Sequence, residues 1–171
     1  MGATATIDRQ RFPPLNLPSA HLALRQEGTS WRVYDPVRRR SVRLTPEEWV
    51  RQHVLHALCC GKHYPTELMA VEATIEVDGL TKRCDIVVYA KSATGLLRPA
   101  MIVECKKPDV PIGQATADQA FRYNRTLRVP YLYLTNGMQH LCLGCDPQSG
   151  APSMLAQLPT WEQLAEAASL L

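Results

Sequence analysis

The sequence lacks what several protein classes require. No apolar run approaches the ~18 residues of a membrane-spanning helix. The opening stretch from Met1 to Gln10 lacks the apolar core of a secretory signal. These two absences predict a cytoplasmic chain with no membrane partner. Aromatic residues are only 6% of the chain and the formal net charge is only +3, an excess that neither demands nor excludes a nucleic-acid partner. There is no internal repeat or low-complexity tract, which sets solenoids and linker-like chains aside. Cysteine is present without a framework. Of Cys59, Cys60, Cys84, Cys105, Cys142 and Cys145, only the last two form a CxxC, and no spaced second pair accompanies it. Most of the six sit in apolar helix or strand patterns. Buried thiols in a reducing compartment are therefore expected, ahead of a disulfide scaffold or a zinc site.

What is present suffices for one domain. A chain of 171 residues buries roughly 70% of the surface that its unfolded form exposes. Apolar residues at 46% and charged residues at 20% are ordinary for a globular protein. Residues 1–20 hold Pro13, Pro14 and Pro18 with little periodicity, predicting an extended arm ahead of a single domain over 21–171. Short alternating runs, Trp31 to Tyr34 and Ser41 to Leu44, predict a β-hairpin with a basic turn. Arg38, Arg39, Arg40 and Arg43 are candidates there for contacts with DNA phosphates, and Lys107 is another further on. The plainer reading of such a cluster is a solvated face.

Thr45 as N-cap, Pro46 at the first helical position and Glu48 three past the cap predict a helix closed by a capping box. Its apolar stripe is Val50, Val54, Leu55 and Leu58, and Gly61 is its stop. A strand from Leu68 to Val77 follows, and Asp78-Gly79 turns it into an antiparallel neighbour. Residues 114–127 are helical in pattern and end before Pro130. Tyr131 to Leu134 and His140 to Gly144 flank an Asn136-Gly137 turn, and Thr160 to Gln163 cap a last helix through Leu171. The order hairpin, α, β, β, β, α, β, β, α predicts an α/β sandwich on a mixed sheet.

The informative stretch is residues 83–106. Arg83-Cys-Asp-Ile-Val-Val-Tyr89 and Met101-Ile-Val-Glu-Cys-Lys106 are two neighbouring strands that mix apolar residues with charge. Asp85 opens the first, 19 positions before Glu104 (104 − 85). Strand alternation points Glu104 and Lys106 one way and Cys105 the other. Two carboxylates at such strand ends suit a hard divalent cation, and an ammonium beside them suits an anion or an attacking water. The bland alternative is a same-face ion pair at a sheet edge, with Asp85 as a strand-end cap.

D-x(n)-E-x-K is the signature of the PD-(D/E)xK nuclease superfamily. Within it the sequence resembles the N-terminal nuclease domain of type I restriction enzyme R proteins. The resemblance is carried by Leu44-Thr-Pro-Glu-Glu-Trp-Val-Arg-Gln52, Arg83 to Tyr89, Ile102-Val-Glu-Cys-Lys-Lys-Pro108, Asp118-Gln-Ala-Phe-Arg-Tyr-Asn124 and Tyr131 to Gly137. It covers about residues 15–145, and Gln119-x-x-x-Tyr123 adds the family's QxxxY motif. It implies a restriction-endonuclease-like αβββαβ core, with a mixed central sheet flanked by helices and an N-terminal β-hairpin. The implied activity is DNA cleavage dependent on Mg²⁺, with Mn²⁺ as a substitute. By position, Asp85, Glu104 and the backbone carbonyl of Cys105 would be metal ligands, with Glu48 or Glu72 adding a carboxylate. Lys106 would handle the attacking water, while Gln119 and Tyr123 would line the cleft. The chain has no G-x-x-x-x-G-K-[ST] phosphate loop, so it holds no such motor signature. The implied partners are therefore DNA and a homodimer mate or a targeting or motor protein. The competing expectation is a non-catalytic DNA-binding or partner-binding module on the same fold.

Overall fold

A computed structural model describes residues 7–77 and 79–170, and for Val77, Leu80, Gln119, Arg122, Tyr123 and Thr126 it describes the backbone only. Asp78 of the expected hairpin turn and Leu171 lie outside the described residues. The hairpin predicted around the arginine cluster is present as β2 (Ser30–Asp35) against β3 (Arg40–Arg43), and β1 (Leu24–Glu27) adds a third antiparallel strand. Asp35 shapes the turn, accepting the Val37 and Arg38 backbone N–H groups at 2.8 and 2.7 Å. Such side-chain to backbone bonds make Asp a turn former. The arm is drawn onto the body from Phe12 onward. Phe12 packs with Val33, Leu44 and Trp49, and the Trp49 indole donates to the Pro13 carbonyl at 2.9 Å.

Helix α1 (Pro46–His56) starts as expected, with the Thr45 hydroxyl accepting the Glu48 N–H at 3.1 Å. Only half of the capping box forms, because the Glu48 carboxylate turns to Arg38, Arg51 and Gln52 instead. A π-helical turn, Ala57–Gly61, carries the helix to its glycine stop. Val50, Val54, Leu55 and Leu58 are all fully buried.

The main sheet has the order β4-β5-β6-β7-β8-β9. Its strands are β4 (Met69–Val77), β5 (Leu80–Lys91), β6 (Leu97–Cys105), β7 (Tyr131–Thr135), β8 (His140–Cys145) and β9 (Pro152–Leu155). Helix α2 (Gln114–Leu127) crosses from β6 to β7, so that pair alone is parallel and the sheet is mixed. The run α1, β4, β5, β6, α2, β7 is the αβββαβ core. Helix α3 (Trp161–Ser169) begins in a full capping box of Thr160 and Gln163. Strand β9 has no apolar pattern of its own and is recruited by pairing with β8. Helices α1 and α3 cover one face of the sheet, over Ile86, Val88, Met101, Val103 and Cys105. Helix α2 covers the other, over Cys84, Val87, Ile102 and Leu132.

Two tests follow from this packing. Ile86 is 0% exposed at the centre of the α1 face, so Ile86→Ala should cost about 2–5 kcal/mol, read as a lower urea midpoint at unchanged slope. His53 is buried edge-on to Trp49 and donates from Nδ1 to the Trp49 carbonyl at 2.8 Å. Burial, with His56 adding repulsion, holds its pKa below the ordinary 6.5. As pH falls through 6.5, the unfolded chain takes up a proton that the folded one refuses, so stability drops. His53→Phe should flatten the fall in urea midpoint between about pH 7 and about pH 5.

Candidate active site

Besides the bulge between β5 and β6 at Val88/Tyr89, strict alternation fails where β4 meets β5, and candidate site residues lie there. On β4, Met69 and Val71 face α1 while Ala73 and Ile75 face α2. On β5, Ile86 and Val88 face α1, yet Cys84 faces α2. The β4–β5 register is the same on either side, from Met69↔Val88 to Val77↔Leu80, but Glu72 and Asp85, opposite one another, are not paired. Glu72 has a φ of 53°, a left-handed conformation that a side chain other than glycine adopts at a cost. Asp85 is therefore the sixth of 12 residues in β5, at a mid-strand irregularity and not at the strand's opening.

The slip turns the Asp85 carboxylate toward α1. Its Oδ1 accepts from Arg51 Nη2 and its Oδ2 from the Cys105 backbone N–H, both at 2.7 Å. Arg51, 4% exposed, also reaches Glu48, and Glu47 at 3.1 Å. Arg38 lies one layer further, bonded to Asp35 at 2.7 Å, to Glu48, and to Glu72 at 2.8 Å. Gln52 donates to both Asp35 and Glu48. Burial opposes the charge on Arg51, but Glu48 and Asp85 outweigh it and raise its pKa. Burial likewise opposes the Glu72 charge, and Arg51, Arg38 and Arg83 reverse that, leaving Glu72 below the usual carboxylate value.

Glu104 occupies the α2 side. It lines a small cleft with Lys82, Lys106, Thr116, Ala120 and Leu134, whose free space of about 30 Å³ admits roughly two waters. Glu104 Oε1 lies 2.8 Å from Lys82 Nζ. Burial raises the Glu104 pKa, Lys82 opposes that, and Asp85 adds to it. Lys106 follows directly after β6, and its backbone N–H donates to the Thr135 carbonyl at 2.8 Å. Gln119 and Tyr123 are on α2, which borders the cleft, and their side chains lie outside the described residues.

The predicted residues thus divide. Glu104 and Lys106 share a cleft, whereas Asp85 reaches the same end of β6 from the other face. Glu48 and Glu72 belong to the arginine network. Arg38 departs from its expected place on a phosphate-binding surface, since three carboxylates hold it inside. Arg39, Arg40 and Arg43 are exposed, and so is Lys107, paired with Asp109 at 2.9 Å. Cys142 and Cys145 are buried thiols, the former pushed up to about 11 by burial. The sequence reading passed over Arg51, Lys82, Asp35 and Gln52. For Arg51 and Gln52 the one signal was polar residues at positions 48, 51 and 52, within the span of a buried helix stripe; Lys82 and Asp35 had none.

In donor chemistry, two carboxylates and the Cys105 carbonyl suit a hard divalent cation. In the arrangement seen, protein cations match both carboxylates, Arg51 on Asp85 and Lys82 on Glu104. Among the described residues, no group of three or more His, Cys, Asp or Glu side chains converges to hold a metal. Any cation held there would have to displace Arg51 from Asp85 and Lys82 from Glu104.

Comparison with known proteins gives a family match over most of the core. Residues 46–159 match the family described as type I restriction enzyme R protein N terminus. A fragment assigned as an HsdR subunit of a type I restriction enzyme from Vibrio vulnificus YJ016 is 24% identical, over 72% of this chain and 25% of that one, at a TM-score of 0.48. This chain therefore spans about a quarter of that protein's length. A protein assigned as a DUF820 nuclease from Anabaena variabilis ATCC 29413 is 10% identical, over 80% of this chain and 90% of that one, at a TM-score of 0.43. No curated protein matches.

One measurement reads what the Glu48 carboxylate does for Arg38 and Arg51 beyond its place at the cap. If its carboxylate serves the arginines, Glu48→Ala leaves two buried guanidiniums short of a partner and should cost about 3–5 kcal/mol in urea unfolding. A residue that only completed a cap would cost about 1 kcal/mol.

Proposed function

The chain belongs to the family of type I restriction enzyme R protein N termini, and from that premise we propose that it is a metal-dependent DNA endonuclease domain. It hydrolyses phosphodiester bonds with Mg²⁺, for which Mn²⁺ substitutes. The observation that supports this reading is the meeting of Glu104 and Lys106 in one cleft beside α2, with Asp85 tied to the neighbouring Cys105 amide.

In this reading Asp85, Glu104 and the Cys105 carbonyl hold the cation. When bound, it supplies charge neutralisation at the phosphate and a more acidic water. Lys106, just beyond Glu104, orients the attacking water and adds positive charge where the phosphate gains negative charge. Gln119 and Tyr123 contact the DNA backbone from α2. The exposed Arg39, Arg40 and Arg43 bind phosphates in a salt-dependent way. These residues carry no phosphate-loop motif and do not themselves drive movement along DNA, and double-strand cutting calls for a second copy.

One observation favours the competing reading of a binding module that does not cut: both candidate metal carboxylates are already paired with protein cations. The deciding experiment adds Mg²⁺ or Mn²⁺ to purified protein with plasmid and linear DNA. Metal-dependent nicking should fall at least about 100-fold in Glu104→Ala and in Lys106→Ala. DNA binding without cutting, equal in all three proteins, would sink the nuclease reading in favour of the module.

A further inference from the structure

We propose that Arg51 is a built-in counter-cation, seated on the Asp85 carboxylate in the metal-free protein and displaced when a divalent cation binds, so that it sets the site's metal affinity. This inference rests on the reading of Asp85 and Glu104 as metal ligands. It concerns an arginine to which that reading gives no role.

The geometry makes the two cations rivals. Both Asp85 oxygens are in use, Oδ1 by Arg51 Nη2 and Oδ2 by the Cys105 N–H, each at 2.7 Å. A small hard cation takes a carboxylate oxygen at about 2.0–2.1 Å. Each carboxylate oxygen keeps a second lone pair, so the rivalry is one of charge and space: a guanidinium held at 2.7 Å on the same carboxylate places a second positive charge close to the metal, and the two repel. The backbone amide is neutral and fixed in place, so Arg51 is the partner that yields.

Arg51 has somewhere to go. Glu47, 3.1 Å away and half-exposed, Glu48, and Glu72 at 4.0 Å all lie around the same guanidinium. Leaving Asp85 therefore strands no buried positive charge, which would otherwise forbid the motion. The present position is also imperfectly satisfied, since Arg51 Nε is buried without an acceptor among the described residues. In the meantime Arg51 does what the cation would do. It pairs its charge with the Asp85 carboxylate at 2.7 Å.

The test measures Mg²⁺ binding by calorimetry and by thermal shift, without DNA, in wild type, Arg51→Gln and Asp85→Asn. Arg51→Gln should bind Mg²⁺ at least about tenfold more tightly, because a unit positive charge in contact with a ligand oxygen has been removed. Asp85→Asn should lose the binding. Equal or weaker binding in Arg51→Gln would overturn the counter-cation while leaving the metal site intact. No Mg²⁺ binding in any of the three would remove the metal site and this inference with it. Should Arg51→Gln fail to fold, the wild-type Arg51 Nε–H signal in NMR gives the answer. Being buried, that proton exchanges slowly. It should shift on Mg²⁺ addition in wild type and stay fixed in Asp85→Asn, and a signal unmoved in wild type while Mg²⁺ binds would overturn the proposal.

Discussion

Two guanidinium groups buried among five carboxylates hold the parts of this protein in register. Arg38 ties Asp35 of the N-terminal sheet to Glu48 of α1 and Glu72 of β4, and Arg51 ties α1 to Asp85 of β5. Each arginine fork serves several oxygens at once, which a point-like ammonium could not do in fixed directions. Such a lattice adds little to net stability over a well-packed apolar substitute, but it tolerates no missing member. Its consequence is positional. The N-terminal sheet, the first helix and the site strand cannot shift independently, so the irregular backbone at Glu72 persists.

That irregularity divides what the sequence could and could not tell. Helix α1 carried its cap and stripe in plain sight, and α2 ended where Pro130 required. The central strands followed from apolar runs between turn residues. Strands β1 and β9 were illegible because nearly all their side chains are exposed, and they exist through pairing with β2 and β8. Spacing nominates the candidate site residues but does not aim them. With Ile86 and Val88 facing α1, strict period-two alternation places Asp85 on the α2 face, beside Glu104. The slip at Glu72 and Asp85 moves it to the opposite face. A left-handed glutamate inside a strand has no signature in sequence, since β-propensity gives no reason to expect it.

Arg51 and Lys82 were invisible for a related reason. Arg51 meets Asp85 across 34 positions (85 − 51), and Lys82 meets Glu104 across 22 (104 − 82). Neither pairing has a local pattern to announce it. Within α1, the Glu47, Glu48, Arg51 set looks like ordinary i,i+3 and i,i+4 surface pairing. Only burial turns it into a core network, and burial follows from how the N-terminal sheet closes over Phe12, Val33, Leu44 and Trp49.

The same closure leaves the acidic cluster with little uncompensated charge. An open pair of carboxylates would oppose an approaching polyanion. Here Arg51 covers Asp85 and Lys82 covers Glu104, and Arg39, Arg40 and Arg43 are exposed on β3 and the turn before it. The left-handed Glu72 is part of that arrangement, held by Arg38 and Arg83 at 2.8 and 3.0 Å. A backbone distortion of this kind, costing on the order of 1–3 kcal/mol, lasts only where its surroundings over-determine it. Arg38 shares Glu48 with Arg51, which holds Asp85 to α1, so the strain at Glu72 and the cover over Asp85 belong to one network of contacts. Releasing Arg51 from Asp85 would free a side chain already at the β6 end, with Cys105 as its remaining anchor and Glu104 one residue away.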